Sequence, residues 1–539
     1  MDEDWEKVEA WDIAISGEFP TETTSSNGHA SKIVTYPLPS FYERSRETTL
    51  KVNGKEVPVI FLDSTRWRYD YAQFTMSKGS ATIEITTKDK KAIGSWNISP
   101  KKYNIQATAT NDTLTFTIDE PKYLIIKKND CPETVLLIDP PEDNIPDPKD
   151  QHVRDVTSKK FGADPTGRHY SHKAIQKAID ETSKAGRGTV YIPPGEYICG
   201  NLVLKSNVRF YLAGGAYLRY TADPDIYKVH WIHNGWKPFT FWIMTEFHST
   251  NIHVDGRGTI DGNGKYAFSK QHLIGVTPLA PILTQNFLYT GPVVKEASFW
   301  TINVIIVQNA EFYDMKILGR HDILNNDGID FNSCQNILVQ RSISIAWDDP
   351  YSAKTWEPQR VSGGVFHKIP GPTGPQTNIL CQDLVAWTGC FAVKVGEGSK
   401  YPQTNITYRN VCVYDAAIAM GIHHRYGKSL LSNIVFEDIE VENLRAPIDY
   451  GSRTWYAIFS LDVGEGAGPC ANVHTSNIKL YTLGTTPARV NGWDENALMT
   501  RITFDNIYVV ELGRYAKNLR EAGITDLKFV DDAPMLTWS

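Results

Sequence analysis

The chain has 539 residues, a formal net charge of −7, 41% hydrophobic residues and 22% charged residues. That length allows two or three domains and a large buried core. Charge is mixed along the chain, which argues against nucleic acid as a partner, and no apolar run approaches the ~18 residues of a membrane-spanning helix. Seven Cys lie scattered without CxxC or CxxH spacing, so neither a zinc site nor a disulfide framework is expected, and no cofactor or metal is called for. The acidic start MDEDWEKVEAW has no apolar core of a signal peptide. Secretion, with any signal lying outside this sequence, is the expectation, and an intracellular location is the alternative. Three sequons, at Asn97, Asn111 and Asn405, would accept glycans in a secreted glycoprotein.

Residues 1–45 are polar, with TETTSSNGHAS at 21–31, and read as a loosely ordered arm. Residues 46–150 carry short alternating runs such as Thr49-Leu-Lys-Val, Ala81-Thr-Ile-Glu-Ile-Thr, Thr113-Leu-Thr-Phe-Thr-Ile and Tyr123-Leu-Ile-Ile. Period-two alternation of β-branched residues between short turns predicts an antiparallel β-sandwich. The segment that starts at Asp139-Pro-Pro-Glu-Asp is rich in Pro and acid and reads as a stiff linker. One short helix follows, with Ser171 as its expected cap and an apolar stripe of Ala174, Ile175, Ala178 and Ile179.

From there to residue 539 one phrase recurs, Asn-aliphatic followed by alternating apolar residues. Copies begin at Asn207, Asn251, Asn336, Asn378, Asn405, Asn433 and Asn477, with a weaker one at Arg501. A repeat of about 22 to 28 residues built of short strands is too short for a propeller blade and predicts a β-solenoid over 151–539. Asn at the turns tolerates left-handed backbone, and its amide can bond from coil to coil. The helix would plug the open N-terminal edge. Two stretches, Lys265 to Ser298 and Thr355 to Gln376, break the repeat and are expected to be loops flanking a binding groove.

Asp327 is followed 21 residues later by Asp348-Asp349, about one repeat. Stacked coils lie about 4.8 Å apart, so the three carboxylates would share one patch. Like charges at that range raise one pKa and leave a neutral acid beside ionised bases, the requirement of glycoside hydrolysis. A calcium site or a set of solvated turn acids is the plainer reading of the same residues.

The stretches Phe161-Gly-Ala-Asp-Pro-Thr-Gly, Gly188-Thr-Val-Tyr-Ile-Pro-Pro-Gly-Glu-Tyr and Gly258-Thr-Ile-Asp-Gly-Asn-Gly resemble the opening of the pectin-lyase-type right-handed β-helix superfamily. Asn325-Asn326-Asp327-Gly328 and Asp348-Asp349 with Ala353-Lys354 resemble the acidic motifs of polygalacturonases, glycoside hydrolase family 28. Similar pairs mark the dextranases and isopullulanases of family 49, which also carry an N-terminal sandwich. The resemblance implies an inverting hydrolase without metal. Asp348 would be the general acid, and Asp327 and Asp349 would handle the water. Two departures stand out: Gly389 to Gly396 holds no His where polygalacturonases carry Gly-His-Gly, and Gly421-Ile422-His423-His424-Arg425 stands in for their Arg-Ile-Lys. A neutral polysaccharide, cleaved at α-glycosidic bonds, is therefore the expected substrate. The alternatives are a galacturonan hydrolase, a calcium-dependent lyase and a non-catalytic sugar-binding solenoid. Expected substrate contacts are Asn325, Lys354, Lys394, His423, His424 and Arg425, with Tyr351, Trp356, Trp387 and Tyr426 as stacking platforms. The protein is expected to work on a polysaccharide as a monomer, with an oligomer as the alternative.

Overall fold

The computed structural model describes residues 30–233, 237–268, 274–356, 369, 373–447, 451–531 and 534–537. Most of the expected N-terminal arm, and 357–368 and 370–372 of the second expected loop, lie outside them. Two sheets form the N-terminal unit. The five-stranded sheet contains Thr48–Val52, Ala81–Thr87 and Thr113–Ile118, and the six-stranded sheet contains Tyr69–Met76, Tyr123–Lys128 and Glu133–Asp139. Alternation does its work here: Leu50, Val52, Ile83, Ile85, Leu114 and Phe116 point into one core between the sheets. Two features depart from expectation. Ile33–Thr35, inside the expected arm, pairs antiparallel with Tyr69–Met76. Glu133–Asp139 pairs parallel with Tyr69–Met76 in an otherwise antiparallel unit. Those two strands are buried along nearly their whole length, so the period-two signal is lost in them.

The rest of the chain is a right-handed parallel β-helix with a 21-stranded and a 12-stranded sheet. The helix His172–Lys184 lays Ile175, Ala178 and Ile179 onto the first coils. Ser171 does not cap it. Its hydroxyl turns back to the backbone of Asp164 instead.

The turn ladder is longer than the sequence phrase suggests. It runs through Asn207, Asn251, Asn286, Asn309, Asn336, Asn378, Asn405, Asn433 and Asn472, each with φ between 54° and 62°. Each Nδ2 donates to the previous Oδ1 at 2.9–3.2 Å. Asn477 belongs to a second ladder, between Asp438 and Asn506. The stretch Lys265 to Ser298 is no simple interruption either. Its strands Gly275–Ala280, Thr284–Thr290 and Val293–Lys295 continue the stack, with Asn286 in the ladder. Phe287 follows Asn286 where other copies carry an aliphatic residue, which hides this copy.

The N-terminal unit packs on the flank of the β-helix. Tyr69, Tyr71, Ile125 and Leu137 share a core with Leu318, Ile345, Trp387 and Tyr414. Buried polar contacts fix the seam: Lys316 Nζ reaches Asp139 at 2.5 Å, Tyr69 donates to the Gly319 carbonyl at 2.8 Å, and Tyr414 donates to Glu133 at 3.0 Å. The segment after Leu62 then meets the coils that carry Asp322 and Trp347. Thr65 N–H donates to Asp322 at 2.7 Å, the Trp67 carbonyl lies 3.1 Å from His321 Nδ1, and the Trp67 ring packs on Trp347. Among the described residues no helix is long and apolar enough to cross a membrane.

Candidate active site

The strand Ile329–Asn332 pairs with Tyr351–Thr355 with Ile329 opposite Tyr351. The turn residues before them therefore stack as well. Gly328 N–H donates to the Asp349 carbonyl at 2.9 Å and Ile329 N–H to the Pro350 carbonyl at 3.0 Å. Asp349, 22 positions on, is thus the direct stack partner of Asp327, and Asp348 stands above Asn326. A Cβ on Gly328 would lie 2.2 Å from Ser344 Oγ and 2.3 Å from the Pro350 carbonyl, so this close approach needs glycine.

Asn326 holds the doublet. It is fully buried. Its Nδ2 donates to the Arg320 carbonyl at 2.7 Å, and its Oδ1 accepts from Trp347 N–H at 2.8 Å and Asp348 N–H at 3.4 Å. From the next coil, the Thr388 hydroxyl donates to the Asp348 carbonyl at 2.7 Å. Neither residue figures among the expected site residues. The motif Asn-Asn-Asp-Gly offers two Asn, and only the stacking register tells that Asn326 faces inward while Asn325 lies exposed with φ 57°.

Two buried lysines set the charge of the carboxyls. Lys354 Nζ lies 2.8 Å from Asp327 and 2.6 Å from Asp330, under the Trp300 ring at 4.3 Å. Lys394 Nζ lies 2.5 Å from Asp349. The consequences differ for each acid. Burial pushes Asp349 up, but Lys394 and Lys354 outweigh it and hold its carboxyl below the usual range. Asp348 has no such partner; burial, then Asp327 and Asp349, push it up to about 8. Burial also raises Asp327 against the pull of Lys354, and raises Asp330 strongly, with Asp327 adding to the effect. At neutral pH the site thus presents a protonated acid, Asp348, next to an ionised Asp349.

All three acids line one cleft of about 550 Å³ together with Asn325, Lys354, Trp356, Lys394, His423 and Arg425. Other expected contacts fall elsewhere. Tyr351 points into the helix core and bonds Ser342, because it begins a strand in an inward position. Trp387 is fully buried at the seam with the sandwich. His424 alternates inward, its Nε2 lies 2.7 Å from the Ser429 carbonyl, and burial lowers its pKa to about 4. Tyr426 packs behind Trp356 at 5.5 Å rather than lining the cleft. Phe299 and Trp300 wall the cleft on the side of the earlier coils, where Phe299 packs on Phe239 and Phe239 on Trp231. Phe391, Trp455 and Ile458 form an apolar floor toward the later coils, and Arg489 stands at the far end of that floor.

Two groups among the described residues could approach a metal ion, Asp348–Asp349–Cys390 and Cys412–Glu440–Glu442. Neither donor set fits. Asp349 already holds the Lys394 ammonium and Asp348 keeps its proton, while metal ligands must be deprotonated. Glu442 is taken by the Ser99 hydroxyl and Lys101 N–H, and burial keeps the Cys412 thiol protonated.

A right-handed β-helix with an aspartate trio stacked across two coils resembles the polygalacturonase-like glycoside hydrolases, and the comparisons agree. Residues 153–270 match a family model described as rhamnogalacturonase A/epimerase, pectate lyase-like. An exo-poly-alpha-D-galacturonosidase of Dickeya chrysanthemi is 28% identical over 247 residues, covering 36% of this chain and 41% of that protein. A probable polygalacturonase of Vitis vinifera is 24% identical over 234 residues, covering 38% and 45%. The chain thus spans less than half the length of these relatives. The crystal structure of an exopolygalacturonase from Thermotoga maritima superposes with a TM-score of 0.50 at 19% identity, covering 67% of this chain and 87% of that one, a likeness of fold.

Proposed function

We propose that the protein hydrolyses a galacturonan-type polysaccharide by acid–base catalysis at Asp348, Asp327 and Asp349. The observation that carries the reading is the unequal pairing within the trio: the Lys394 ammonium lies 2.5 Å from Asp349, and no ammonium pairs with Asp348 among the described residues. Asp348 holds a proton at neutral pH for the leaving oxygen, while Asp349 is kept ionised to draw a proton from water. Asp327, one coil away, shares the water with Asp349, and attack from that side of the sugar inverts the anomer. The neutral substrate expected from the sequence gives way to a uronate. The matched relatives are named for galacturonate polymers, and the cleft carries Arg425, paired with Glu397, and Arg489, paired with Asp526, beyond the acids, guanidinium groups suited to the carboxylates of a uronate chain. The aromatic wall at Phe299 and Trp300 supports entry from one side and release of sugars from a chain end.

The test is a panel of polygalacturonate, dextran and pullulan, with reducing-sugar release, product length and product anomer read by NMR. Release from polygalacturonate alone, with inverted anomer, is expected. Cleavage of dextran or pullulan without polygalacturonate would overturn the substrate. A chelator-sensitive rise in unsaturated product would point to a lyase, and binding without cleavage to a sugar-binding solenoid.

A further inference from the structure

The 12-stranded sheet carries one row of outward residues across consecutive strands. Ser352 lies opposite Lys394, Lys394 opposite Gly421, Gly421 opposite Ile458, and Ile458 opposite Arg489. Adjacent strands are about 4.8 Å apart, so Arg489 stands three spacings, about 14 Å, from Lys394 and the acids. Between the two cations the row has no polar side chain. Gly421 makes room for the Phe391 ring, since a Cβ there would lie 2.2 Å from it, and Ile458 continues the floor with Trp455 beside it. A flat apolar strip with a cation at its far end suits a sugar chain whose rings lie on the strip and whose next carboxylate meets the cation.

Arg489 is built for that contact. Its Nε donates to Asp526 at 2.8 Å, which fixes the plane of the guanidinium. Its two Nη groups have no partner among the described residues, and the side chain, 36% exposed, lines the same cleft as Asp327 and Asp349. A planar guanidinium with both Nη groups open takes a carboxylate in bidentate fashion. As a half-exposed ion pair with Asp526 alone, it would add little to stability.

We propose that Arg489 is a specificity residue that binds the carboxylate of a uronate residue several sugars away from the bond being cleaved. The inference rests on the galacturonan reading above and adds to it a second carboxylate subsite, so chain length becomes part of recognition. Lys394 and Arg425 belong to the reacting end of the cleft; Arg489 reads the chain beyond it.

The experiment compares the full chain with R489Q and D526N on galacturonate oligomers of defined length, from the dimer upward. For oligomers long enough to reach Arg489, R489Q should raise KM by about tenfold or more, the loss of a charged hydrogen-bonded contact, with kcat unchanged. For the shortest oligomers cleaved, R489Q and the parent should match. D526N keeps the guanidinium and should keep the length dependence. A KM unchanged at every length, or raised equally at every length, overturns the subsite. So does a D526N variant that raises KM equally at every length, which would make the pair merely structural. If the parent chain turns over no galacturonate oligomer, the substrate reading itself falls and the subsite with it; turnover without a length-dependent effect of R489Q removes the subsite alone.

Discussion

Lys394 is the group whose removal tests the electrostatics most sharply. Its ammonium lies 2.5 Å from Asp349, and both side chains are buried. An opposite charge at that range lowers a carboxyl pKa by about 1–3. Lys394 also lowers Asp327 and, less directly, Asp348. In K394M the long apolar chain is kept and the charge is gone. Asp349 must be ionised to serve as base, and its folded pKa then rises, so the acid limb of the kcat/KM profile should move up by about 1–3 on the pH scale. Below that limb the ionised fraction of Asp349, and the rate with it, falls about tenfold for every step of one in pH. The alkaline limb, set by loss of the Asp348 proton near pH 8, should move up less. Removing one member of a buried pair also costs about 3–5 kcal/mol when the partner stays charged. That cost should be largest at neutral pH and shrink as the pH falls and Asp349 takes a proton. Steady-state kinetics across acid to mildly alkaline pH, with thermal melts at the same pH values, read both effects. A folded K394M with an unmoved acid limb would refute the assignment of Lys394 as the cation that holds Asp349 ionised.

D348N should lower kcat by about 10³-fold while substrate binding persists. Because the folded pKa of Asp348 lies near 8, above the usual 3.8, the unfolded chain releases this proton between those values while the folded state keeps it, and stability falls progressively as pH rises through that window; D348N should therefore melt higher than the parent at about pH 8 and alike at about pH 3. N326A removes the acceptor for Trp347 and Asp348 N–H; kcat should fall more than KM changes, with a stability loss of about 1–3 kcal/mol read by denaturant titration. N378A, in mid-ladder with φ 61°, should cost about 1–2 kcal/mol for the left-handed backbone and leave kcat alone. W67A should loosen the contact with Trp347, lowering kcat without altering the pH profile.

The repeat and the acid spacing are legible in the sequence because both depend on local chemistry. Asn is written at the left-handed turns, and apolar residues are written at every second strand position. What stays hidden depends on direction. Tyr351, Trp387, His424 and Tyr426 look like sugar-binding residues by type, yet strand alternation or the sandwich seam turns three of them into the interior, and the fourth backs Trp356. His423 and His424 are neighbours of one residue type with opposite fates, one lining the cleft and one bonded to Ser429. Lys354 and Lys394, expected at the substrate, line the cleft and also hold the acids. Arg489 lies 162 positions beyond Asp327 with no motif around it; only the strand register brings it into the cleft.

The sandwich takes part in the same logic. Two buried carboxyls and a half-buried third beside two buried ammoniums are costly to assemble, because each ion leaves water. They persist only if the turns that carry them cannot relax. Asn326 and Thr388 clamp the doublet from within the helix. From outside, Trp67 packs on Trp347, the residue before Asp348, and Thr65 N–H fixes Asp322, two residues from Arg320, whose carbonyl anchors Asn326. The seam below, with its buried Lys316–Asp139 pair and shared aromatic core, holds that segment in place. The N-terminal unit therefore acts on the acids through two backbone turns and one ring contact. That is why W67A should lower kcat, which depends on where Asp348 points, and leave the pH limbs in place, since they depend on the lysines.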